Sequence, residues 1–494
     1  MIELSSATQQ LTIPERERRM TVGRELGYYL SHRGFKQVVF VTNIQDALPV
    51  LTRDELKRHA VPTDAYAGRG PGMALGLQFP DQEMVVHLPT PMFPQEESLL
   101  RDVATRTNVV FPTLRSDVTA VLQDERTFVY PFIGSAEMNE KFPNRTTPAA
   151  GRFNNKALMR QRFKDSGMTE KLVPGAEIFY QGQEPPVFIQ QVIDTVREYA
   201  TSSSQERFML KLAETASGLL SPTITSEEIR ELKEGRIPDS LQSKVAAMFT
   251  GNDGTMFMGD VVLEEFVPYK SDGHTGDFNT RGYLLPDGQF IPLSVGRQIC
   301  DEKGQYLGMI SVPSHNQALV QQIGLHPNVL VIQMEIMEKI ARSMFKDGYF
   351  GPVSFDCFCG DGPDAVPANR DFNQREGGGT VPGIIAANSG AIYGEERAVM
   401  DVETKIESSR RLEGREIEAL LERLSTQGVS FYATTFMRSP SNGGNSHIYT
   451  LKTVQPFNGI ATNELSMAQS IVGNVAQLNA SIGQSMGLNF RVAY

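Results

Sequence analysis

The sequence is short of cysteine, of long apolar runs and of positive charge, and each shortage removes a class of protein. Only Cys300, Cys357 and Cys359 occur. Three thiols cannot build a disulfide framework, and no second cysteine pair is present to complete a zinc site. Cys357 and Cys359 lack C-x-x-C spacing and read as small strand residues, not a redox centre. No run approaches the roughly 18 apolar residues of a membrane span. The segment MIELSSATQQLTIPERERRM (1–20) has no apolar signal core, so a cytoplasmic protein with no membrane partner is expected. The sequons at Asn144 and Asn479 are then chance matches. A formal net charge of -11 argues against a nucleic-acid partner, which needs a basic field, but permits a local cationic pocket. No Ser-His-Asp or Cys-His signature of a nucleophilic enzyme appears. The glycines of AGRGPGMALG (67–76) complete neither G-x-G-x-x-G nor a Walker motif and read as a flexible loop.

What is present suits an ordinary globular chain of two to four domains: 494 residues, 40% hydrophobic and 21% charged. MTVGRELGYYLSHRGF (20–35) reads as an amphipathic helix closed by Gly34. Short strands are predicted at KQVVFVTN (36–43), VVHLPT (85–90), NVVFPT (108–113) and TFVYPF (127–132), and their alternation with helices favours an open α/β sheet. Asn154 or Asn155 is placed to cap a helix KALMRQRFKDSG that stops at Gly167. ERFMLKLAE (206–214) and MGDVVLEEFVPY (258–269) read as strands, and the charged stretch 226–249 as one solvated helix. Strands separated by DG and KG turns fill 281–310, and a long helix over 329–348 follows. Further on, 410–428 and 463–483 carry apolar helical stripes that read as packing faces.

The chemistry is concentrated in GYFGPVSFDCF (348–358) and NRDFNQREGGGTVPG (369–383). Asp356 sits amid apolar residues, where an unpaired carboxylate costs several kcal/mol or takes up a proton. Asp371, Asn373 and Arg375 recur every second residue and would share one face of a strand. Two carboxylates and an amide oxygen form the hard oxygen set that Mg²⁺ takes alongside substrate phosphates, and Arg375 suits a phosphoryl group. Lys156 opens a helix. Lys211 lies within an apolar strand, where it is either a phosphate ligand or the outward residue of a half-exposed strand. In VVLEEFVPY (261–269) a strand leaving its sheet would offer backbone groups to adenine, although LEEF alone occurs in many ordinary strands. Gly377, Gly378 and Gly379 permit close backbone approach to a substrate, or simply make a surface turn.

This ordered set resembles the ATP-grasp superfamily over roughly 150–385. Lys156 and Lys211 match its nucleotide lysines, and Glu264, Glu265, Phe266 and Val267 its adenine hinge. Asp356, Asp371 and Asn373 match its metal triad, and Arg375 the arginine after it. FNQREGGGTVP is similar to the N-x-R-x-G-G-T-T-H-P segment of pheganomycin-type peptide ligases, whose lysine strand resembles LKLAETASGLLSP and whose Q-x-Y-x-G element resembles QYLGM (305–309). Four positions depart from that pattern: Asp371 stands for Glu, Val381 interrupts Thr-His-Pro, Gly218 is the one glycine after Lys211, and Ser354 occupies a position where some relatives have Arg. The resemblance implies an α/β and α+β fold with a pre-ATP-grasp α/β domain over 1–145. A two-lobed ATP-grasp domain would span 146–385, with lobes at about 146–270 and 271–385, and a small C-terminal extension 386–494. It implies ATP with Mg²⁺, or Mn²⁺, and joining of an amino-acid, peptide or other small carboxylate to an amine through an acylphosphate. Arg375 and Arg297 would be the catalytic arginines, Arg297 having a surface ion pair as its alternative, and Gly377, Gly378, Gly379 and Thr380 the substrate loop. A small-molecule kinase or a non-catalytic nucleotide-binding homologue are the alternatives, and a homo-oligomer is compatible with the apolar tail.

Overall fold

The computed structural model describes residues 15–42, 69–88, 92, 94–214, 221–250, 256, 258–267, 275–300, 306–360, 362–375, 382–383, 386, 389, 394–408, 415–416, 419, 436–440, 447–457 and 490–492. The N-terminal part alternates as the sequence predicts: α1 (Glu15–His32), β1 (Gln37–Val41), α2 (Arg69–Gly76), β2 (Glu83–His87), α3 (Pro94–Thr107), β3 (Thr113–Arg115), α4 (Thr119–Gln123), β4 (Thr127–Pro131) and α5 (Ala136–Lys141). Its strands form a parallel sheet in the order β3-β2-β1-β4. Gly34 ends α1 at φ +84, while the Phe35 N–H returns to Leu30 O at 3.0 Å, a Schellman closure.

Two local expectations are corrected. Residues 108–112 are not a strand. Asn108, at φ +52, closes α3, and the Val109 N–H bonds Ala104 O at 3.0 Å, so pairing begins only at Thr113. Nor is the glycine-rich stretch a loop from Arg69 onward, because 69–76 is helical. A Cβ on Gly70 would lie 2.5 Å from Val86 Cγ1, so glycine lets this helix lie close on β2. Pro71 falls in its first turn, where no N–H is missed.

A four-stranded antiparallel lobe follows the short helix α6 (Gly151–Asn154) and α7 (Lys156–Asp165). Its elements are β5 (Gly175–Ile178), α8 (Pro185–Ser202), β6 (Phe208–Leu212), β7 (Thr223–Ile224), α9 (Ser226–Lys233), α10 (Asp239–Met248) and β8 (Val261–Glu265). The strand order is β5-β8-β6-β7. Phe208, Leu210 and Leu212 turn one face of β6 onto Phe188, Val192 and Val196 of α8 in a core of its own. The charged stretch 226–249 is two helices, not one. Gly235 takes φ +82, and Pro238 is the N-cap of α10, residues that end one helix and start the next.

Glu228 ties those two helices together. It completes a capping box with Thr225, and accepts from Ser240 Oγ at 2.7 Å and Lys244 Nζ at 2.8 Å. Burial pushes its carboxyl up, but Lys244, Thr225 and Ser240 outweigh burial and hold it below the ordinary value. Such a group stabilises above the unfolded pKa and ceases to do so as pH falls through the folded one. Glu228→Gln is therefore expected to cost about 1–3 kcal/mol in urea unfolding at neutral pH, with the gap from wild type closing below the usual carboxylate range. A gap independent of pH would refute the charge argument.

The remaining elements are β9 (Thr275–Leu284), β10 (Phe290–Cys300), β11 (Tyr306–Pro313), α11 (Gln317–Gln322), α12 (Pro327–Lys346), β12 (Gly351–Gly360) and β13 (Ala368–Asn373), then β14 (Ala398–Ser408), β15 (Phe436–Pro440), β16 (His447–Phe457) and β17 (Phe490–Val492). They build a nine-stranded sheet along β13-β12-β9-β10-β11-β14-β16-β15, with β17 also pairing β14. The described tail strands thus extend the central sheet through β11–β14 pairing. The helices expected at 410–428 and 463–483 lie almost wholly outside the described residues. One apolar core joins the N-terminal sheet to the central one: Leu26 of α1, Phe40 and Tyr130 belong to the same cluster as Leu284, Ile291, Met334 and Phe355. Among the described residues no helix is long and apolar enough to cross a membrane.

Candidate functional site

β12 is two-faced. Val353, Phe355, Cys357 and Cys359 enter the large core, leaving Ser354, Asp356 and Phe358 for the opposite face by strand alternation. Both cysteines are buried, with Sγ atoms 3.7 Å apart. The Cys359 contact and burial push the Cys357 thiol well up, which agrees with small packing residues. β12 is flanked by β13 and β9, and Asp356 lies opposite Asp371 on one side and Asn279 on the other. Its Oδ1 accepts from Asn279 Nδ2 at 2.6 Å and Gln298 Nε2 at 2.9 Å, and its Oδ2 from Asn373 Nδ2 at 3.3 Å. Burial, reinforced by the Asp371 charge, raises its pKa.

The period-two reading of Asp371 and Asn373 agrees with their placement: they oppose Asp356 and Ser354. β13 ends at Asn373, so Arg375 lies just beyond it. There its Nη1 donates to Asn154 Oδ1 at 2.7 Å. Between Asp356 and Cys357 the register shifts, since Cys357 opposes Asn369. Arg370 is therefore the extra residue of a β-bulge. Its guanidinium lies 4.6 Å over the Phe358 ring and pairs with Asp277 of β9.

The four-stranded lobe presents its opposite, polar face to these strands. Lys211 Nζ lies 2.6 Å from Glu264 Oε2 on β8 and 3.3 Å from Asp371 Oδ1 on β13. It therefore bridges the two sheets and is not the outward residue of a half-exposed strand; its side chain is 6% exposed. Burial opposes its charge, but Asp371 and Glu264 more than offset this and raise its pKa. Burial likewise opposes ionisation of Asp371, yet Lys211, Lys156 and Arg370 hold it far below the usual carboxylate value. Lys156 starts α7, which Asn155 caps by accepting from Leu158 N at 3.0 Å, and its own N–H donates to Ala213 O at the end of β6 at 3.0 Å. Burial lowers the Lys156 pKa. Asp371 and Glu264 oppose that shift, while the neighbouring Arg375 and Lys211 charges add to it.

Four nominated residues, Lys211, Glu264, Asp371 and Arg375, are thus within electrostatic reach of Lys156, the five coming from four segments, and Asp356 and Asn373 adjoin them. Of the hinge, Glu264 is buried and also accepts from Arg160 Nη1 at 3.1 Å. Glu265 accepts from Ser203 Oγ at 3.2 Å. The Phe266 amide donates to Arg207 O at 3.0 Å, so the chain leaves the sheet only after it, at Val267. Gly377, Gly378, Gly379 and Thr380 lie outside the described residues.

Arg297 is corrected. It opposes Phe278, which in turn opposes Cys357, so it lies on the core face of the sheet, away from Asp356. It is 2% exposed, with Nη1 donating to Ile323 O at 3.1 Å. It is therefore buried on the face turned away from the site.

Several site residues escaped the sequence reading: Arg160, Arg370, Asp277, Asn279 and Gln298. One signal was available. The word D-F-N-x-R occurs twice, at 277–281 and 371–375, and the structure places the copies on β9 and β13, either side of β12. Burial, opposed by Arg370 and reinforced by Asp356 and Asp371, pushes Asp277 up to about 7. No group of three or more His, Cys, Asp or Glu side chains among the described residues is arranged to hold a metal. Asp356, Asp371 and the amide of Asn373 still fit one hard divalent cation. They are oxygen donors on one face, and the like-charge pressure between the two acids is what a cation relieves.

No family model matches the chain, and no curated protein matches its sequence. Among solved structures it is similar to N5-carboxyaminoimidazole synthetase from Staphylococcus aureus, at 11% identity over 88% of this chain and 97% of that one, with a TM-score of 0.45. Phosphoribosylamine–glycine ligase from Thermotoga maritima aligns at 12% identity over 92% and 98%, with a TM-score of 0.46. L-amino acid ligase from Bacillus licheniformis aligns at 11% identity over 93% and 99%, with a TM-score of 0.42.

Proposed function

We propose that the chain is an ATP-grasp enzyme that joins a carboxylate to an amine, driven by ATP. The supporting observation is the meeting of Lys156 at the start of α7 and Lys211 of the antiparallel lobe with Asp371, Asn373 and Asp356 of the central sheet, with Arg375 beside them. Lys156 and Lys211 would neutralise phosphate oxygens as point charges. In the free protein Lys211 is held by Glu264 and Asp371; a triphosphate would take over part of that role. The chain around Glu265, Phe266 and Val267 would receive adenine where β8 leaves its sheet. Asp356, Asp371 and Asn373 would hold magnesium, which supplies positive charge against the phosphates. Arg375 would stabilise the transferring phosphoryl group and the tetrahedral intermediate, a role of positioning and electrostatics that needs no protein nucleophile. The reaction is attack of the carboxylate on the terminal phosphorus, giving an acylphosphate and ADP, followed by displacement of phosphate by the amine. In domain terms, 1–145 and 386–494 would flank a two-lobed ATP-grasp unit.

The test is phosphate release from Mg·ATP against pooled carboxylates, amino acids and short peptides, with mass spectrometry of products. Release is expected only when acid and amine are both present, with a product one water lighter than their sum. Phosphate transfer to a single compound would make the chain a kinase, and ATP binding without turnover on any pair would leave a nucleotide-binding homologue.

A further inference from the structure

Asp356 has two neighbours to which the ligase reading gives no task, Asn279 of β9 and Gln298 of β10. The two D-F-N-x-R words meet β12 from opposite sides, offset by two residues. Asn279 of the first and Asp371 of the second therefore both oppose Asp356. The same word delivers an acid from one flank and an amide from the other.

That amide can face only one way. Arg281 Nε donates to Asn279 Oδ1 at 2.6 Å, while Asn279 Nδ2 donates to Ser354 Oγ at 2.9 Å and to Asp356 Oδ1 at 2.6 Å. Turned over, it would set its own N–H against that of Arg281 and its oxygen against a carboxylate. Gln298, reaching from one strand further along the sheet, donates to the same Asp356 Oδ1 at 2.9 Å. A carboxylate oxygen has about two acceptor positions, so these two donors fill Oδ1. On Oδ2 lies the contact with Asn373, at 3.3 Å the longest of the three.

A carboxylate with one oxygen filled offers a cation only the other. Mg²⁺ holds a small octahedral shell and accepts single carboxylate oxygens, whereas Ca²⁺ takes about six to eight oxygens and commonly both from one carboxylate. The groups that hold a ligand from behind thus govern which ion it suits, and their loss typically changes metal affinity about 10–100-fold.

We propose that Asn279 and Gln298 are positioning residues that make Asp356 a one-oxygen ligand and so set a preference for Mg²⁺ over Ca²⁺. The inference rests on the ligase reading for the cation at Asp356, Asp371 and Asn373.

The experiment is displacement of Mn²⁺ from the Mn·ADP complex of the full chain by Mg²⁺ and by Ca²⁺, followed by electron paramagnetic resonance. Gln298→Met and Asn279→Leu are each compared with wild type, so that the nucleotide's own preference cancels. The ratio of the two displacement midpoints is expected to shift toward Ca²⁺ by at least about tenfold in each variant. A residue that only supported the strand would weaken both ions alike and leave the ratio where it was. Asn279 is buried and Gln298 half-buried, so Gln298→Met decides the matter if Asn279→Leu fails to melt cooperatively. An unchanged ratio in a folded variant would overturn the selectivity role and leave the ligase reading standing. No Mn·ADP binding by wild type would defeat the ligase reading and the selectivity role with it.

Discussion

An Asp356→Asn, Asp371→Asn double variant is expected to lose at least about a thousandfold in ATP turnover while keeping its fold. Among the described residues these two acids have no ion-paired arginine, whereas Asp277 pairs with Arg370 and Glu264 with Arg160. Removing both charges takes the magnesium site from two anionic oxygens to none, and electrostatic losses of this kind cost about two to three powers of ten for each preorganised contact. The fold should tolerate the change. At Asp356 burial already disfavours the anion, and an amide oxygen still accepts from Asn279 and Gln298. Turnover in magnesium and the thermal midpoint are the two measurements. Magnesium-dependent turnover retained within tenfold would end the metal assignment, and a collapsed melt would show that the acids were structural.

The second large effect separates two lysines that the sequence presents as equivalent. Lys211→Met is expected to weaken Mg·ATP binding by about 10–100-fold, the scale of a lost charge-assisted contact. It should also destabilise the free protein by about 3 kcal/mol, since Asp371 and Glu264 each lose a buried partner. Lys156→Met should weaken nucleotide binding comparably yet leave the free protein as stable or more so. Burial and the neighbouring Arg375 and Lys211 charges disfavour the Lys156 ammonium, and that cost disappears with the charge. Calorimetric titration with Mg·ATP and urea unfolding of both variants check the pair. Equal destabilisation by the two would contradict the electrostatic account.

The contrast shows what the sequence could carry. Alternation and residue type were enough to put Asp371 and Asn373 on one strand face beside the strand of Asp356, because strand periodicity is a local property, whereas pairing Lys156 with Lys211 as nucleotide lysines came from the family resemblance. Arg297 failed for a reason of parity: its neighbours mark a strand, but not which face looks toward Asp356. The bulge at Arg370 was equally hidden, since one extra residue in a ladder depends on the partner strand. Arg160 became visible only in three dimensions, because its partners Glu177 and Glu264 lie 17 and 104 residues away. The second D-F-N-x-R word could have been found by comparing the strands with one another.

The partition of apolar cores gives the molecule a mechanical division. The N-terminal parallel sheet and the central sheet share one oily interior and therefore travel as a single body. The β5–β8 lobe has its own interior; it meets α7 through a small apolar contact of Ala157 with Ala213 and Val262, and β13 through charge, Lys211 on Asp371. Prising the jaws apart there breaks ion pairs, which water replaces, and exposes little apolar surface. The lobe is thus a lever with a polar latch, and because Lys211 is buried, where salt screens little, a competing anion at Lys211 and not ionic strength should favour the open jaw.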